Sequence, residues 1–258
     1  MTASFISSGE GPTIVFLHGV GSGKEGFAKQ IDPVVSNGWH FLSIDAPGFG
    51  ETPFPTEPGF HPHVDAVIET LDALAIETAV ICGHSLGGMT AQEIAANYPE
   101  RVSGLILSAT SPAFGKPDGD FQKKFLRDRF APFEQGMTMP EFAESFSPRL
   151  VGPKPAPGAI KAITEVMSSV SIDAYRRAME TITTFDQRAN LPKISVPTLL
   201  IAGEFDTNAP APMMQKMASK INGADYVELP DTGHMAPIEK PEEFNRHIVN
   251  FIKRAATT

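Results

Sequence analysis

The sequence predicts an α/β fold: a mostly parallel, doubly wound sheet with a helical segment inserted between two strands. Short apolar runs alternate with helical patterns along most of the 258 residues. The runs are near-continuous in Val, Ile and Leu, as in strands buried on both faces. The alternation breaks once, from about Pro112 to Leu191, where only helical patterns occur. Alternating strands and helices pack as a parallel sheet with helices on both faces.

Taken in order, the expected strands are "TIVFLH" (13–18), "HFLSID" (40–45), "AVICGH" (79–84), "VSGLILSA" (102–109), "TLLIAG" (198–203) and "DYVELP" (225–230). "KPEEFNRHIVNFIKRAA" reads as a final helix, with Pro241 near its start and Phe244, Ile248 and Phe251 on one face. In the broken region, "FQKKFLRDRFAPF", "MPEFAESF", "AIKAITEVMSSV" and "AYRRAMETITTF" read as helices around the Pro- and Gly-rich "SPRLVGPKPAPGA". Open α/β sheets bind ligands beyond the carboxyl ends of their strands, so an insertion there is expected to cover the site. The expected organisation is a core of residues 1–111 and 192–258 and a helical cap of residues 112–191.

Composition narrows the function. With 41% hydrophobic and 20% charged residues the chain is ordinary for a globular protein. A formal net charge of −9, from 21 basic and 30 acidic residues, argues against nucleic acid and anionic membrane surfaces as partners. No apolar run approaches the roughly 20 residues that span a bilayer. Cys82 is the single cysteine, and "MTASFISSGEG" has neither a basic n-region nor an apolar h-region, so a cytoplasmic protein is expected, as monomer or homodimer.

The chemistry centres on "GHSLGG". Gly83-His84-Ser85-Leu86-Gly87 matches G-x-S-x-G between an expected strand and an expected helix. So tight a turn needs small neighbours, and it leaves the serine oxygen exposed near a helix N-terminus. A serine hydroxyl needs a base to take its proton, and the base needs an acid to orient it. His234 in "LPDTGHMAP" follows one strand and Asp206 in "LLIAGEFDTNAP" follows another, in the chain order Ser, Asp, His. Glu204 is the less favoured acid, and no carboxylate follows "GLILSA". The loop Gly19-Val20-Gly21-Ser22-Gly23 lies at the same sheet edge, so the backbone N–H groups of Val20 and Leu86 are the natural donors to an oxyanion.

"LHGVGSG", "IDAPGFGET", "GHSLGG", "LLIAGEFDTNAP" and "TGHMAPIEKPEEF", in that order, make the chain resemble the α/β-hydrolase fold superfamily over nearly its whole length. The resemblance is nearest to the enol-lactonase and small serine carboxylesterase branch. It implies Ser85 as nucleophile, His234 as base and then acid, Asp206 as its orienter, and Val20 and Leu86 as oxyanion donors. It also implies a small-molecule ester or lactone as substrate, with no cofactor and no metal. The family usually carries a longer N-terminal strand pair, so with about eleven residues before Pro12 an edge strand is expected to be missing.

Rival motifs are weaker. Gly21-Ser22-Gly23-Lys24-Glu25-Gly26 matches G-x-G-x-x-G, with Asp45 about twenty residues on, and would make the chain an NAD-binding protein. That reading leaves Ser85, Asp206 and His234 without a purpose. "HPHVD" (His61, His63, Asp65) lies in a proline-broken segment and has Ala66 where a metallo-hydrolase motif would place its next histidine. Carbon–carbon bond hydrolysis and a non-hydrolytic receptor are the remaining alternatives. Within the cap, phenylalanines 121, 125, 130, 133, 142 and 146 and methionines 137, 139 and 167 could line an apolar acyl pocket. One of the arginines at 127, 129, 149, 176 and 177 could meet a substrate carboxylate.

Overall fold

The computed structural model describes residues 3–116 and 118–255. Its sheet comprises β1 (Phe5–Ser8), β2 (Thr13–Leu17), β3 (His40–Ile44), β4 (Ala79–His84), β5 (Val102–Ser108), β6 (Thr198–Gly203) and β7 (Asp225–Leu229). The strand order is β1-β3-β2-β4-β5-β6-β7. β1 runs antiparallel to β3 and every other pairing is parallel. The six expected strands all form. The edge strand expected to be missing is present: Phe5 to Ser8 pair with Ile44 to Phe41 and satisfy the outer backbone groups of β3.

The helices are α1 (Ile31–Val35), α2 (His61–Ala73), α3 (Leu86–Asn97), α4 (Asp120–Glu134), α5 (Met139–Phe146), α6 (Ala159–Ser168), α7 (Ile172–Ile182), α8 (Ala211–Ala218), α9 (Ala236–Glu239) and α10 (Pro241–Ala255). Ala256, the last residue of the expected final helix, lies outside the described residues. The segment "HPHVD" does not break at its proline; it opens α2, with Pro62 in the first turn, where a missing N–H costs nothing. Among the described residues no helix is long and apolar enough to cross a membrane.

Two cores follow from the two-residue period of the strands. Val15, Leu42, Ile81, Leu105 and Leu200 point to one face and pack against α2, α3 and α8. Ile14, Phe16, Phe41, Val80, Ile106 and Ile201 point to the other and pack against α1 and α10. On α10 the buried set is Phe244, Ile248, Phe251 and Ile252, the spacing of one helical stripe. Each such side chain contributes about 1.5–3 kcal/mol of burial.

Helices α4 to α7 all fall between β5 and β6. The two ends of this insertion are tied together at a neck. Ala113 and Asp186 form an antiparallel bridge, the Phe114 N–H donates to the Phe185 carbonyl at 2.9 Å, and the Gln187 N–H donates to the Pro112 carbonyl at 2.8 Å. Caps set the helix starts: Thr138 and Glu141 form a reciprocal capping box on α5, and the Ser171 hydroxyl caps α7. A third core, with Phe133, Phe142 and Tyr175 at its centre, fills the insertion and runs on into Val20, Leu86 and Met235 beside the sheet.

Candidate active site

Parallel strands end on the same edge, and four of those ends meet here. Ser85 follows β4, the Val20 loop follows the adjacent β2, Asp206 follows β6, and His234 follows its neighbour β7. Ser85 sits at φ 54°, ψ −115°, between the strand and α3. The chain can turn so sharply because the residues two positions away on either side, Gly83 and Gly87, lack side chains. A Cβ on Gly87 would lie 2.0 Å from the Leu17 carbonyl oxygen, and one on Gly83 would lie 2.2 Å from the Gly87 carbonyl oxygen. The corner is anchored by the Ser85 N–H donating to the Ser108 carbonyl at 2.9 Å and by the Thr110 hydroxyl donating to the Ser85 carbonyl at 2.8 Å.

His234 and Asp206 are both buried. His234 Nδ1 lies 2.8 Å from Asp206 Oδ2, while Asp206 Oδ1 accepts the N–H groups of Asn208 at 2.8 Å and Ala209 at 3.0 Å. Burial alone would raise Asp206, but the facing His234 and these hydrogen bonds outweigh it and hold the carboxyl below its ordinary pKa. An ionised Asp206 places the imidazole proton on Nδ1 and leaves Nε2 as an acceptor. Glu204 is exposed and its carboxylate accepts the Asp231 N–H, so the two acids are separated by position. No Ser85–His234 hydrogen bond forms among the described residues; both side chains line one cavity.

That cavity has a volume of about 250 Å³ and lies between the sheet edge and the insertion. Val20 lines it, whereas the Leu86 side chain is turned inward against a smaller hollow beside His18 and His63. Leu86 is the first residue of α3, so its N–H stands at that helix N-terminus. His18 shapes the Val20 loop: its Nε2 accepts the Ala46 N–H at 2.9 Å, which leaves Nδ1 to donate to the Gly19 carbonyl at 2.8 Å. Burial pushes the pKa of His18 down, so this neutral form persists. His84, next to Ser85, is pushed down to about 3 by burial and by His234, whose ring centroid is 5.0 Å away.

Of the expected acyl-pocket residues, Phe121, Phe125, Phe146 and Met167 line the cavity. Phe130, Phe133, Phe142 and Met139 instead pack the interior of the insertion, with Met137 against them. Among the five arginines Arg129 reaches the cavity. Cys82 is a core residue whose thiol burial pushes far up, and His61 and His63 fall on the solvent and buried sides of α2. Asp45, directly after β3, accepts the N–H and, at 2.6 Å, the ammonium group of Lys24 in the G-x-G-x-x-G loop.

Two features of the site are not legible from motifs. Glu239 is fully buried, has no lysine or arginine paired with it among the described residues, and accepts the N–H groups of Gly152 and Gly233 at 2.8 Å and Met235 at 3.1 Å. Its carboxylate thus clamps both neighbours of His234, and burial holds its pKa above the ordinary value. The insertion takes part: the Leu150 carbonyl accepts the His234 N–H at 2.7 Å. Glu239 follows His234 by five residues, but only the folded chain brings Leu150 and Gly152 to it.

The chain belongs to the α/β hydrolase fold family, whose family model matches residues 12–241. Among solved structures it is similar to a thermophilic esterase from Thermogutta terrifontis, with a TM-score of 0.88 and 26% identity over 98% of this chain and 93% of that one. It is also similar to an enol-lactonase from Burkholderia xenovorans LB400, with a TM-score of 0.85 and 27% identity over 97% and 96%. A curated relative, 2-hydroxy-6-oxononadienedioate/2-hydroxy-6-oxononatrienedioate hydrolase from a Pseudomonas species, is 28% identical over 93% of this chain and 88% of its own.

Proposed function

We propose that this protein is a serine hydrolase that cleaves a carboxylic ester or lactone of a small molecule through an acyl-enzyme. The observation that carries the reading is the 2.8 Å Asp206–His234 pair and a serine at positive φ, all at one sheet edge, with Ser85 and His234 lining one cavity. Ser85 Oγ attacks the substrate carbonyl carbon as His234 Nε2 takes its proton. The oxyanion accepts hydrogen bonds from the Val20 and Leu86 N–H groups, each worth about 3 kcal/mol in the transition state. As the tetrahedral intermediate collapses, His234 returns the proton to the leaving alkoxide. Water then repeats the sequence on the acyl-enzyme, with His234 again as base, and releases the acid and Ser85. Asp206 holds the imidazole tautomer and faces the imidazolium that forms.

In this reading residues 112–191 act as a cap over the cavity, and residues 1–111 and 192–258 form the core that carries the reacting groups. The neck at 112–114 and 185–187 supports that division. The single, buried cysteine fits a cytoplasmic setting.

The test is a panel of short and medium acyl 4-nitrophenyl esters, simple lactones and a vinylogous diketone, with fluorophosphonate labelling read by mass spectrometry. Label on Ser85, and turnover in Ser85→Ala lower by about 10³–10⁶-fold in a folded protein, is the expected outcome. Asp206→Asn should lose about 10²–10⁴-fold. Undiminished turnover in Ser85→Ala overturns the mechanism. Preference for the diketone would move the reaction to carbon–carbon bond hydrolysis.

A further inference from the structure

The cavity has two ends, and the strand order places them on opposite sides of Ser85. Gly19 to Ser22 follow β2 on one side of β4, and Ser111, Thr207 and Asn208 follow β5 and β6 on the other. At the second end the cavity meets the surface: Phe121 lines it, lines two further hollows outside it, and is 66% exposed. The first end is closed. There Met167, on α6, is 2% exposed and lies over Gly21, where an added Cβ would be 2.5 Å from its methyl carbon and 3.8 Å from its sulfur.

Behind this contact the space is not filled by protein. A surface cleft of about 960 Å³ lies between the core and α6, and Ser22 lines both the cleft and the cavity. Val166, the chain neighbour of Met167, lines the cleft as well. The partition is therefore thin: Gly21 and Ser22 from the loop after β2, and Met167 from the insertion.

A methionine packed on a glycine is ordinary inside a core, where further side chains hem both in. Here one side of the contact is cavity and the other is cleft. The backbone does not call for glycine at this position, because Gly21 lies outside the left-handed region. What excludes a Cβ is the Met167 methyl group. An unbranched thioether chain with three rotatable bonds is suited to filling so irregular a gap.

We propose that Met167 is the stopper of the closed end of the cavity, and so the residue that limits the size of one of the two groups on the scissile carbonyl. The substrates are then esters with one compact group, held between Ser85 and Met167, and a second group that extends towards Phe121 and the surface. This assignment rests on the hydrolase reading for the bond that is cut, but the stopper can be tested without turnover.

The kinetic arm uses two series of unbranched esters, one lengthened in the acyl group and one in the alcohol. In one series kcat/KM should rise by up to ~4-fold for each methylene buried, then fall by about 10-fold or more at a sharp length. Met167→Ala should move that break by about two methylenes and restore about 10-fold to the first excluded ester. Met167→Leu, of similar volume, should leave it in place. Met179→Ala is the control, since Met179 lines the cavity but neither the cleft nor the two hollows at Phe121. It should leave the break where it is. Circular dichroism checks folding, and Met167→Val replaces Met167→Ala if the latter does not fold.

The binding arm titrates 2-alkanones of increasing length into the Ser85→Ala protein by calorimetry, with and without Met167→Ala. Affinity should climb by up to ~4-fold per methylene and then level off, at a greater length once Met167 is shortened. If no ester is hydrolysed, a binding break that moves with Met167 supports the stopper, and only the hydrolase reading falls. Ser85-dependent hydrolysis with no break in either series, or with a break that Met167→Ala leaves in place, overturns the stopper and leaves the hydrolase reading standing. A break moved equally by Met179→Ala also overturns it, because cavity volume rather than the partition then sets the limit.

Discussion

Ser85 occupies a backbone region that side-chain-bearing residues seldom adopt, a strain of order 1–3 kcal/mol. The fold offsets it with backbone bonds to Ser108 and Met89 and with the Thr110 hydroxyl. The motif identifies the corner; Thr110 becomes visible only because β5 lies beside β4. Glu239 is the residue-scale counterpart on the other side of the site. As a carboxylate it accepts three N–H groups at once, and an amide there must turn a donor towards one of them. Glu239→Gln is therefore expected to lower kcat by about 10–100-fold through displacement of His234, with the exposed Glu242→Gln near wild type. Steady-state kinetics on the best ester, with circular dichroism to check folding, decides it. An unchanged kcat in a folded Glu239→Gln protein would show the clamp to be dispensable.

At the scale of elements, apolar runs and the helical period locate each of the expected strands and the insertion's four helices. What they miss has a physical cause in each case. β1 is four residues long and only partly buried, so its pattern is too short and too mixed to stand out. The stretch "SPRLVGPKPAPGA" reads as a linker because its role is carried by backbone atoms, which sequence patterns do not reveal. Leu150 and Gly152 lie so close to the His234 loop that a Cβ on Gly152 would meet the Asp231 carbonyl oxygen at 2.2 Å. The packing of α3 on β2 is equally close at Gly87. Gly87→Ala should push α3 away from Leu17 and cost about 1–3 kcal/mol or more. A urea midpoint equal to that of the wild type would mean the corner yields more readily than its geometry implies.

For the whole molecule the buried histidines set the response to acid. Burial lowers His18, takes His63 to about 4 and takes His84 to about 3, against 6.5 for each in the unfolded chain. Below the unfolded value the unfolded state binds more protons, so stability is full above about 6.5 and falls as pH drops towards 4 and 3. In the carboxylate range Glu239, whose pKa is raised, acts in the opposite direction, and Asp206, held low by His234 and its hydrogen bonds, acts with the histidines. Urea unfolding between pH 8 and about 4.5 should show a falling midpoint, and His63→Leu should flatten that fall. A midpoint independent of pH in this window would mean that these rings take up protons without unfolding the protein.

By itself the sequence determined the fold class, the strands that compose the sheet and the residue types gathered at its edge, because these follow from local periodicity and from turn chemistry a few residues long. Only the tertiary structure decided that Asp206, rather than Glu204, faces His234, that Leu150 and Glu239 brace the histidine loop, and that Met167 lies over Gly21. Asp206 and His234 are 28 residues apart and Gly152 and Glu239 are 87 apart, and the choice between two acids depends on which way a side chain turns. Strand order and packing settle them, and no short pattern encodes either.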